Sequence, residues 1–329
     1  NRNGRLSFLN KSLKKIKKSR SNSTLLIIGL LLCGTSAFSQ DHSHQPDDHP
    51  HNDKNSYNII NEAHSDELAS LLVLSFHGRI IPLHTFCDEY LRKIHRGKTF
   101  TLKGVEYNAV QTIISMHLFN EFWKTQNIIY VPKALQKKLK LSVYESYNDL
   151  TDKKGSFKWS KQWEHSTSKS PSSRNEFDKK ILKLNESLSV ISGVFSGIPL
   201  QIIPLRNHPS NKWISYVRQT LYSLKDNNGK LIKGYADTND VKIMFSDEKT
   251  LKMLASSIHY FTAIQSNTKD INYKECDSLL NKLKAYQREL GKDMVPSENL
   301  VELEILYNKL DVFKWTYIGY GVIGFIMLL

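Results

Sequence analysis

The sequence of 329 residues predicts a mainly α-helical, membrane-anchored protein with a few short strands. Three observations predict this fold class. A strongly basic segment at the N terminus is followed by a charge-free apolar run, a second apolar run stands at the C terminus, and apolar residues recur at helical spacing between the two. We therefore expect a helical extracytoplasmic domain between two transmembrane helices.

The first 40 residues set the predicted topology. Residues 1–20 contain eight Lys/Arg and no acidic residue, and residues 21–40 carry no charge. Lysine and arginine stay on the cytoplasmic side of a membrane, so 1–20 is predicted as a cytoplasmic basic segment and 21–40 as a transmembrane helix. Small residues from Gly34 to Gln40 also fit a signal peptide that is cleaved, and the sequence leaves both interpretations open.

Charge and cysteine content narrow the class of protein. The net charge is +14, but only about +5 of it falls within residues 41–313, so the basicity indicates topology and not nucleic-acid binding. Three cysteines are too few for a disulfide scaffold. Cys87 and Cys276 would share the oxidising side of the membrane, where a disulfide between them is one alternative.

Residues 41–56 form a linker rich in histidine and aspartate. Its core, DHSHQPDDHPHND, offers four imidazoles that are suitable ligands for Zn²⁺, Cu²⁺ or Ni²⁺. No apolar residue within 41–53 would fold this segment, so the alternative is a solvated linker with weak affinity for a divalent metal. The candidate metal ligands are His42, His44, His49 and His51.

Residues 57–313 are predicted as the folded, mainly helical domain, with a polar loop over 148–175. Trp159 and Trp163 lie in this loop, where they would stack on a flat ligand, pin the loop to the domain or touch a membrane interface. His117, on the apolar face of a helix, is interpreted as a hydrogen-bonded core residue. Helices are predicted over 65–74, 85–94, 104–124, 174–195, 246–266 and 273–290, and a strand over 198–205.

The last helix is predicted to begin near Ser297 and to continue into the C-terminal apolar run. Its apolar stripe comprises Leu300, Leu303, Leu306 and Leu310, and neither Pro nor Gly separates this stripe from Trp315. Residues 314–329 are too few for a span of about 20 residues, so they are predicted as the truncated start of a second transmembrane helix. On this interpretation the chain is a fragment of a larger membrane protein.

The sequence lacks the common catalytic motifs. It contains no phosphate-binding glycine loop, no GxSxG, no HExxH and no CxxC. We therefore do not expect this piece of chain to be an enzyme by itself.

Two blocks of sequence resemble bacterial cytochrome c biogenesis proteins of the CcsA/ResB (System II) type. Residues 77–94 (HGRIIPLHTFCDEYLRKI) are similar to the segment "GRI-x-PL-x-T … E-x-LRKI" of these haem-attachment proteins. Residues 295–313, with Pro296-Ser297 and Tyr307-Asn308-Lys309, are similar to "PS … E-x-x-YNK-x-x-x-F". Residues 177–186 are a weaker match. The resemblance covers the outer domain and both flanking apolar runs.

The resemblance implies a cytochrome c synthase as the parent protein. Such a protein presents haem to an apocytochrome c, whose CxxCH thiols add to the vinyl groups, and its haem-binding loop would lie beyond Leu329. The segment Trp159–Trp163 (WSKQW) does not match that loop, so the resemblance transfers no catalytic residue to this chain. The nearest candidates for contact with haem or its propionates are His77, Arg79, His84 and His95; Arg79 has the alternative of pairing with a carboxylate of its own fold.

The resemblance also implies partners and a location. The partners would be apocytochrome c and the membrane bundle of the assembly protein, in the cytoplasmic (inner) membrane, with residues 41–313 in the periplasm. The folded domain would then support haem presentation and apocytochrome docking. The alternative is a membrane-tethered periplasmic protein that binds metal through the linker, or a structural envelope protein.

Overall fold

The computed structural model describes residues 59–205, 208, 210–217, 247–266, 273–291 and 294–328. Most of these residues are helical, and the strands among them are short. The helices are α1 (Glu62–Leu68), α2 (Leu83–His95), α3 (Ala109–Leu118), α4 (Asn120–Trp123), α5 (Lys133–Leu139), α6 (Tyr147–Leu150), α7 (Ser160–Ser168), α8 (Glu176–Ser196), α9 (Glu248–Ser266), α10 (Tyr273–Leu290), α11 (Glu298–Leu310) and α12 (Val312–Leu328).

Among the described residues, each strand pairs with its neighbour in sequence to form an antiparallel two-stranded sheet. In the first hairpin, Leu72 stands opposite Pro82 and Leu74 opposite Ile80. Gly78 has a φ of +77° in the turn of this hairpin, a conformation that glycine adopts without strain. The strands are β1 (Leu72–Leu74), β2 (Ile80–Pro82), β3 (Thr99–Leu102), β4 (Val105–Asn108), β5 (Ile129–Tyr130), β6 (Tyr144–Glu145), β7 (Gln201–Pro204) and β8 (Trp213–Ser215).

Helix α8 lies at the centre of the folded part and packs against α2 and α3. Asn175 and Asp178 form a capping box at its N terminus, and Gly197, at φ +68°, ends it. Its buried face carries the stripe that the sequence predicts. The members of this stripe are Ile181, Leu184, Leu188 and Ile191.

Helices α9 and α10 pack against each other and against β7, and α10 also contacts α1. The buried amide of Gln287 on α10 fixes this arrangement. Its oxygen accepts a hydrogen bond from the backbone N–H of Leu72, and its nitrogen donates to the carbonyls of Leu72 and Ile202. One side chain thus joins α10 to both β1 and β7.

Two predicted helices are partly strands in the structure. The helix predicted over 65–74 ends at Leu68, because residues 72–74 pair with β2 instead. The helix predicted over 104–124 begins only at Ala109, because 105–108 pairs with β3. Asn108 and Gln111 form a capping box that marks the true start of α3. Within the predicted polar loop, Ser160–Ser168 is helical.

The prediction of a domain held between two transmembrane helices is wrong for the residues that the structure describes. None of their helices is both long enough and apolar enough to span a membrane. Helix α12 has 17 residues, which corresponds to about 26 Å at about 1.5 Å per residue, against a hydrocarbon core of about 30 Å. The other predicted span, 21–40, lies outside the described residues.

The last helix is also not continuous. Helix α11 ends at Asp311, which has left-handed backbone angles (φ 49°, ψ 47°), and α12 starts at Val312. Aspartate tolerates this conformation better than most residues, so neither glycine nor proline is needed to break the helix. The carboxylate of Asp311 pairs with Lys98 at 2.8 Å. The residue at the break therefore also makes a tertiary contact.

Candidate functional site

Helix α11 lies against α2 and β2, which brings together the two sequence blocks that carry the resemblance. Val301 and Ile305 on α11 pack with Leu72, Ile80 and Trp213. The contact joins residues 77–94 to residues 295–313 although more than 200 residues separate them. We call this contact the block junction.

Glu304 lies at the centre of the block junction. Its Oε1 accepts a hydrogen bond from Arg79 Nη2 at 2.5 Å and another from the hydroxyl of Thr85 at 2.8 Å. Asn308, one turn further along α11, donates its side-chain N–H to the same threonine hydroxyl at 2.9 Å. The buried Thr85 thus links Glu304 and Asn308 to the start of α2.

Lys309 and Lys98 make further polar contacts at the block junction. Lys309 Nζ lies 3.0 Å from Asp66 Oδ1, which ties α11 to α1. Lys98 donates to the backbone carbonyl of Asn308 at 3.0 Å and pairs with Asp311. The end of α11 is therefore fixed to the chain that follows α2.

Next to the junction lies a cavity of about 260 Å³ with polar and charged walls. His84 and Asp88, one turn apart on α2, both face it. Nδ1 of His84 is buried and has no hydrogen-bond partner among the described residues. The other charged or polar lining residues are Glu62, Asp66, Lys98, Thr99, Asn108, Asn308 and Lys309.

Burial disfavours the charged forms of His84 and Asp88. It lowers the pKa of the His84 imidazole, against the opposing effect of the Asp88 carboxylate. It raises the pKa of Asp88, against the effects of His84 and Arg92. Burial therefore favours the neutral form of both side chains.

The candidate haem contacts lie in different surroundings. His77 is exposed in the β1–β2 turn beside Phe76, which is 96% exposed. Arg79 pairs with Glu304, a carboxylate of its own fold, and its side chain remains 62% exposed. His84 lines the cavity.

His95 takes part in packing at the other end of α2. Its Nδ1 lies 3.0 Å from the carbonyl oxygen of Ile128, its ring stacks on Tyr144, and burial lowers the pKa of its imidazole. His95 lies eleven positions after His84 on α2, which is about 16 Å along the helix axis. The two histidines therefore do not lie on either side of one iron.

The cavity at His84 does not fit a whole haem. Its volume of about 260 Å³ is below the range of about 300–1,000 Å³ that is typical of small-molecule pockets. A single carboxylate, such as a propionate, would find cationic donors there in Lys98 and Lys309, whereas the buried Nδ1 of His84 is closed off from a ligand. These lysines already pair with Asp311 and Asp66, so such a ligand would have to compete with both.

The described residues contain no cluster of histidine, cysteine and acidic side chains that could hold a metal ion. The four linker histidines, His42, His44, His49 and His51, lie outside the described residues. Cys87 and Cys276 are both buried free thiols and form no disulfide with each other. Burial raises the pKa of both thiols, which makes them poor nucleophiles.

His117 is a largely buried, hydrogen-bonded residue, in agreement with its interpretation from the sequence. Its Nδ1 donates to the carbonyl of Val194 at 3.1 Å, and its Nε2 accepts from the hydroxyl of Tyr216. Burial lowers the pKa of its imidazole to about 4.

Sequence reasoning missed the partners at the block junction. Thr85, Glu304 and Asn308 all lie inside the two resemblance blocks, so the blocks themselves were the available signal. The predicted leucine stripe of α11 also points the other way: Leu300, Leu303, Leu306 and Leu310 are each at least half exposed. The opposite face of α11, which carries Val301, Glu304, Ile305 and Asn308, makes the contact instead.

Comparison with known proteins relates most of the chain to part of a longer protein. No family model matches the chain. The chain is similar to Protein NrfI of Wolinella succinogenes, with 25% identity over 270 residues. The match covers 80% of this chain and 26% of NrfI, so the chain spans about a quarter of the length of this relative.

Proposed function

We propose that the chain is part of a cytochrome c assembly protein of the CcsA/ResB type, acting on the periplasmic side of the cytoplasmic membrane. Its folded domain supports the presentation of haem and the docking of apocytochrome c. The block junction carries this proposal, because the two segments that resemble the assembly proteins contact each other through Thr85 and Glu304. The similarity to NrfI across most of the chain supports it independently.

The role of the junction is mechanical. Arg79, Thr85 and Lys98 hold α11 from three points, so its outward leucine face is presented in a fixed orientation. Exposed leucines at spacings of three and four residues are typical of a seam with another helix. The rest of the assembly protein is the partner that this face would contact.

In haem handling, the domain contacts the edge of the haem and does not enclose the whole haem. Haem, when bound to the parent protein, supplies the iron and the vinyl groups to which the thiols of the apocytochrome add. Within this chain, His84 lines the cavity beside the block junction, and His77 is exposed at the tip of a hairpin. These residues would orient a propionate or the apocytochrome beside the haem.

The test is maturation of a co-expressed reporter with a CxxCH motif by the full-length assembly protein. Thr85→Val and Glu304→Gln should each lower the amount of haem attached to the reporter severalfold, because the first removes the bridging hydroxyl and the second removes the charge that pairs with Arg79. Glu121→Gln, which removes an exposed ion pair with Lys124 elsewhere on the surface, is the matched control. Pyridine haemochrome spectra of the purified protein show whether haem is still bound.

Normal maturation by the double variant Thr85→Val/Glu304→Gln would rule out a role for the junction. Absence of both haem and maturation in the unmodified parent protein, where a known synthase works, would rule out cytochrome c assembly altogether. Stoichiometric binding of Zn²⁺ or Cu²⁺ that is lost with His42, His44, His49 and His51 would then favour the metal-binding alternative.

A further inference from the structure

The charge of the folded part is concentrated in one segment. Residues 133–183 contain 13 Lys/Arg and 6 Asp/Glu, a net charge of +7, whereas the rest of residues 21–329 carries a net charge of −1. This segment runs from α5 through α7 to the first two turns of α8. The basic character of the outer domain therefore comes almost entirely from this segment, both from its helices and from the loops between them.

The structure places cations from different parts of this segment beside one another. Helices α5 and α7 both pack against α8. Lys138 on α5 lies 5.0 Å from the centre of the Phe177 ring at the start of α8, which places the basic end of α5 next to the basic end of α8. We call the surface formed by α5, α7 and the start of α8 the basic face.

A groove of about 590 Å³ opens on the basic face. Four cationic side chains and a single acidic one line it. Lys179 and Lys183 are exposed, and among the described residues neither they nor Lys180 form an ion pair. Pro171 begins the serine-rich turn that forms one edge of the groove. The charged lining residues are Arg174, Glu176, Lys179, Lys180 and Lys183.

Two tryptophans accompany the lysines. Lys158 and Trp159 directly precede α7, and Lys161 and Trp163 lie in its first turn; both indoles are partly exposed. Trp159 packs on the core with one side, whereas Trp163 is not part of the core. Tryptophan next to lysine is typical of the boundary between lipid headgroups and acyl chains, and a cluster of four or more Lys/Arg attracts anionic lipid.

We propose that the basic face binds the surface of an anionic lipid bilayer, with the phosphate of one lipid headgroup in the groove between Arg174 and Lys183. Trp159 and Trp163 lie at the level of the headgroups. This contact is peripheral and needs no helix that spans the membrane. It does not depend on a role in cytochrome c assembly.

Vesicle flotation of the full chain tests the proposal. Wild-type protein should bind vesicles of phosphatidylglycerol and phosphatidylcholine more strongly than vesicles of phosphatidylcholine alone, and the difference should shrink in high salt. Lys179→Glu/Lys180→Glu/Lys183→Glu should lower the partition onto the anionic vesicles by about tenfold or more, since each lysine contributes at the surface. Binding to phosphatidylcholine alone, which reports the apolar segments, should not change.

The matched control is Lys103→Glu/Lys274→Glu/Lys282→Glu, which changes the net charge equally at exposed lysines outside the basic face. Equal losses in the two triple variants would overturn the proposal, because only the total charge would then matter. Retention of vesicle binding by the groove variant, together with loss of binding to soluble polyglutamate, would replace the lipid with an acidic protein partner. Circular dichroism melting curves confirm that both variants are folded.

Discussion

Two polar contacts join the β1–β2 hairpin to the C-terminal helices, and they differ in burial. Gln287 binds the backbone of Leu72 with a side chain that is 1% exposed. Glu304 binds Arg79, whose side chain is 62% exposed, and the partly buried hydroxyl of Thr85. The first contact satisfies backbone groups that water does not reach, so its loss affects stability. The second lies at the surface, where ion pairs add little stability and remain accessible to a partner.

His117 belongs with Gln287 on the buried side of this comparison. It connects α3 to the end of α8 and to Tyr216, in the same way that Gln287 connects α10 to two strands. We therefore expect substitutions around Gln287 and His117 to unfold the protein, and substitutions at the block junction to impair function in a protein that is still folded. The following predictions test this division, in order of decreasing effect on stability.

Gly197→Ala should have the largest effect. A Cβ at this position would lie 2.3 Å from Cε1 of His117 and 2.8 Å from Val217, at a φ of +68°. Overpacking and backbone strain together should lower the free energy of unfolding by about 4 kcal/mol. Urea denaturation measures this change.

Gly78→Ala is the matched control at the block junction. Gly78 has a similar φ of +77°, but a Cβ there meets no atom within 4 Å. Backbone strain alone should cost about 1 kcal/mol. Equal losses in the two variants would mean that the contact with His117 is not what makes Gly197 necessary.

Acid should destabilise the protein through His117. Its pKa is about 4 in the folded state, against 6.5 for the free side chain. Above pH 6.5 both states hold the neutral imidazole, so this stabilising contribution is complete. Between pH 6.5 and 4 only the unfolded chain takes up the proton, so stability should fall by about 3 kcal/mol as the pH falls.

The variant His117→Gln isolates this effect, because glutamine does not titrate. Its free energy of unfolding should change less between pH 6.5 and 4 than that of the wild type. Part of the pH dependence should remain, because burial also lowers the pKa of His64 and His84. A variant with the pH profile of the wild type would contradict the assignment to His117.

Gln287→Leu should cost about 2 kcal/mol, because it leaves buried backbone groups of Leu72 and Ile202 without their partner. Gln265→Leu is the control, since Gln265 is exposed and donates one hydrogen bond, to the carbonyl of Leu118. Chemical denaturation should show a clearly smaller loss for the control. A Gln287 variant as stable as the wild type would show that the leucine packs well enough to offset the lost hydrogen bonds.

Glu304→Gln should have the smallest effect on stability, below about 1 kcal/mol, because its ion pair with Arg79 is largely exposed. Thermal melting measures this change. The same variant should still lower maturation of the reporter cytochrome. A large loss of stability would instead place the block junction with the buried contacts.

Sequence reasoning succeeded where the information is local. The bounds of α10 agree with the predicted helix, and the buried stripe of α8 follows its apolar spacing of four and three residues. It was wrong where pairing with distant chain decides the outcome. Residues 72–74 continue the apolar pattern of α1, but they form a strand because β2 and Gln287 supply partners for their backbone.

The candidate site shows the same limit. The sequence pointed to Arg79 and His84 through a resemblance, but it did not reveal that Glu304 and Asn308 meet Thr85 across more than 200 residues. The break at Asp311 also carries no glycine or proline signal, and the ion pair of Asp311 with Lys98 is visible only in the tertiary structure.

By itself, the sequence determined the mostly helical character, the resemblance to cytochrome c assembly proteins and the uneven distribution of charge. These properties follow from composition, spacing and short motifs, each of which lies within one stretch of chain. Only the tertiary structure decided which face of α11 is buried, where the free imidazole nitrogen of His84 lies and which lysines share the basic face. Such features depend on contacts between distant segments, and the free energy of those contacts is not encoded in any single segment.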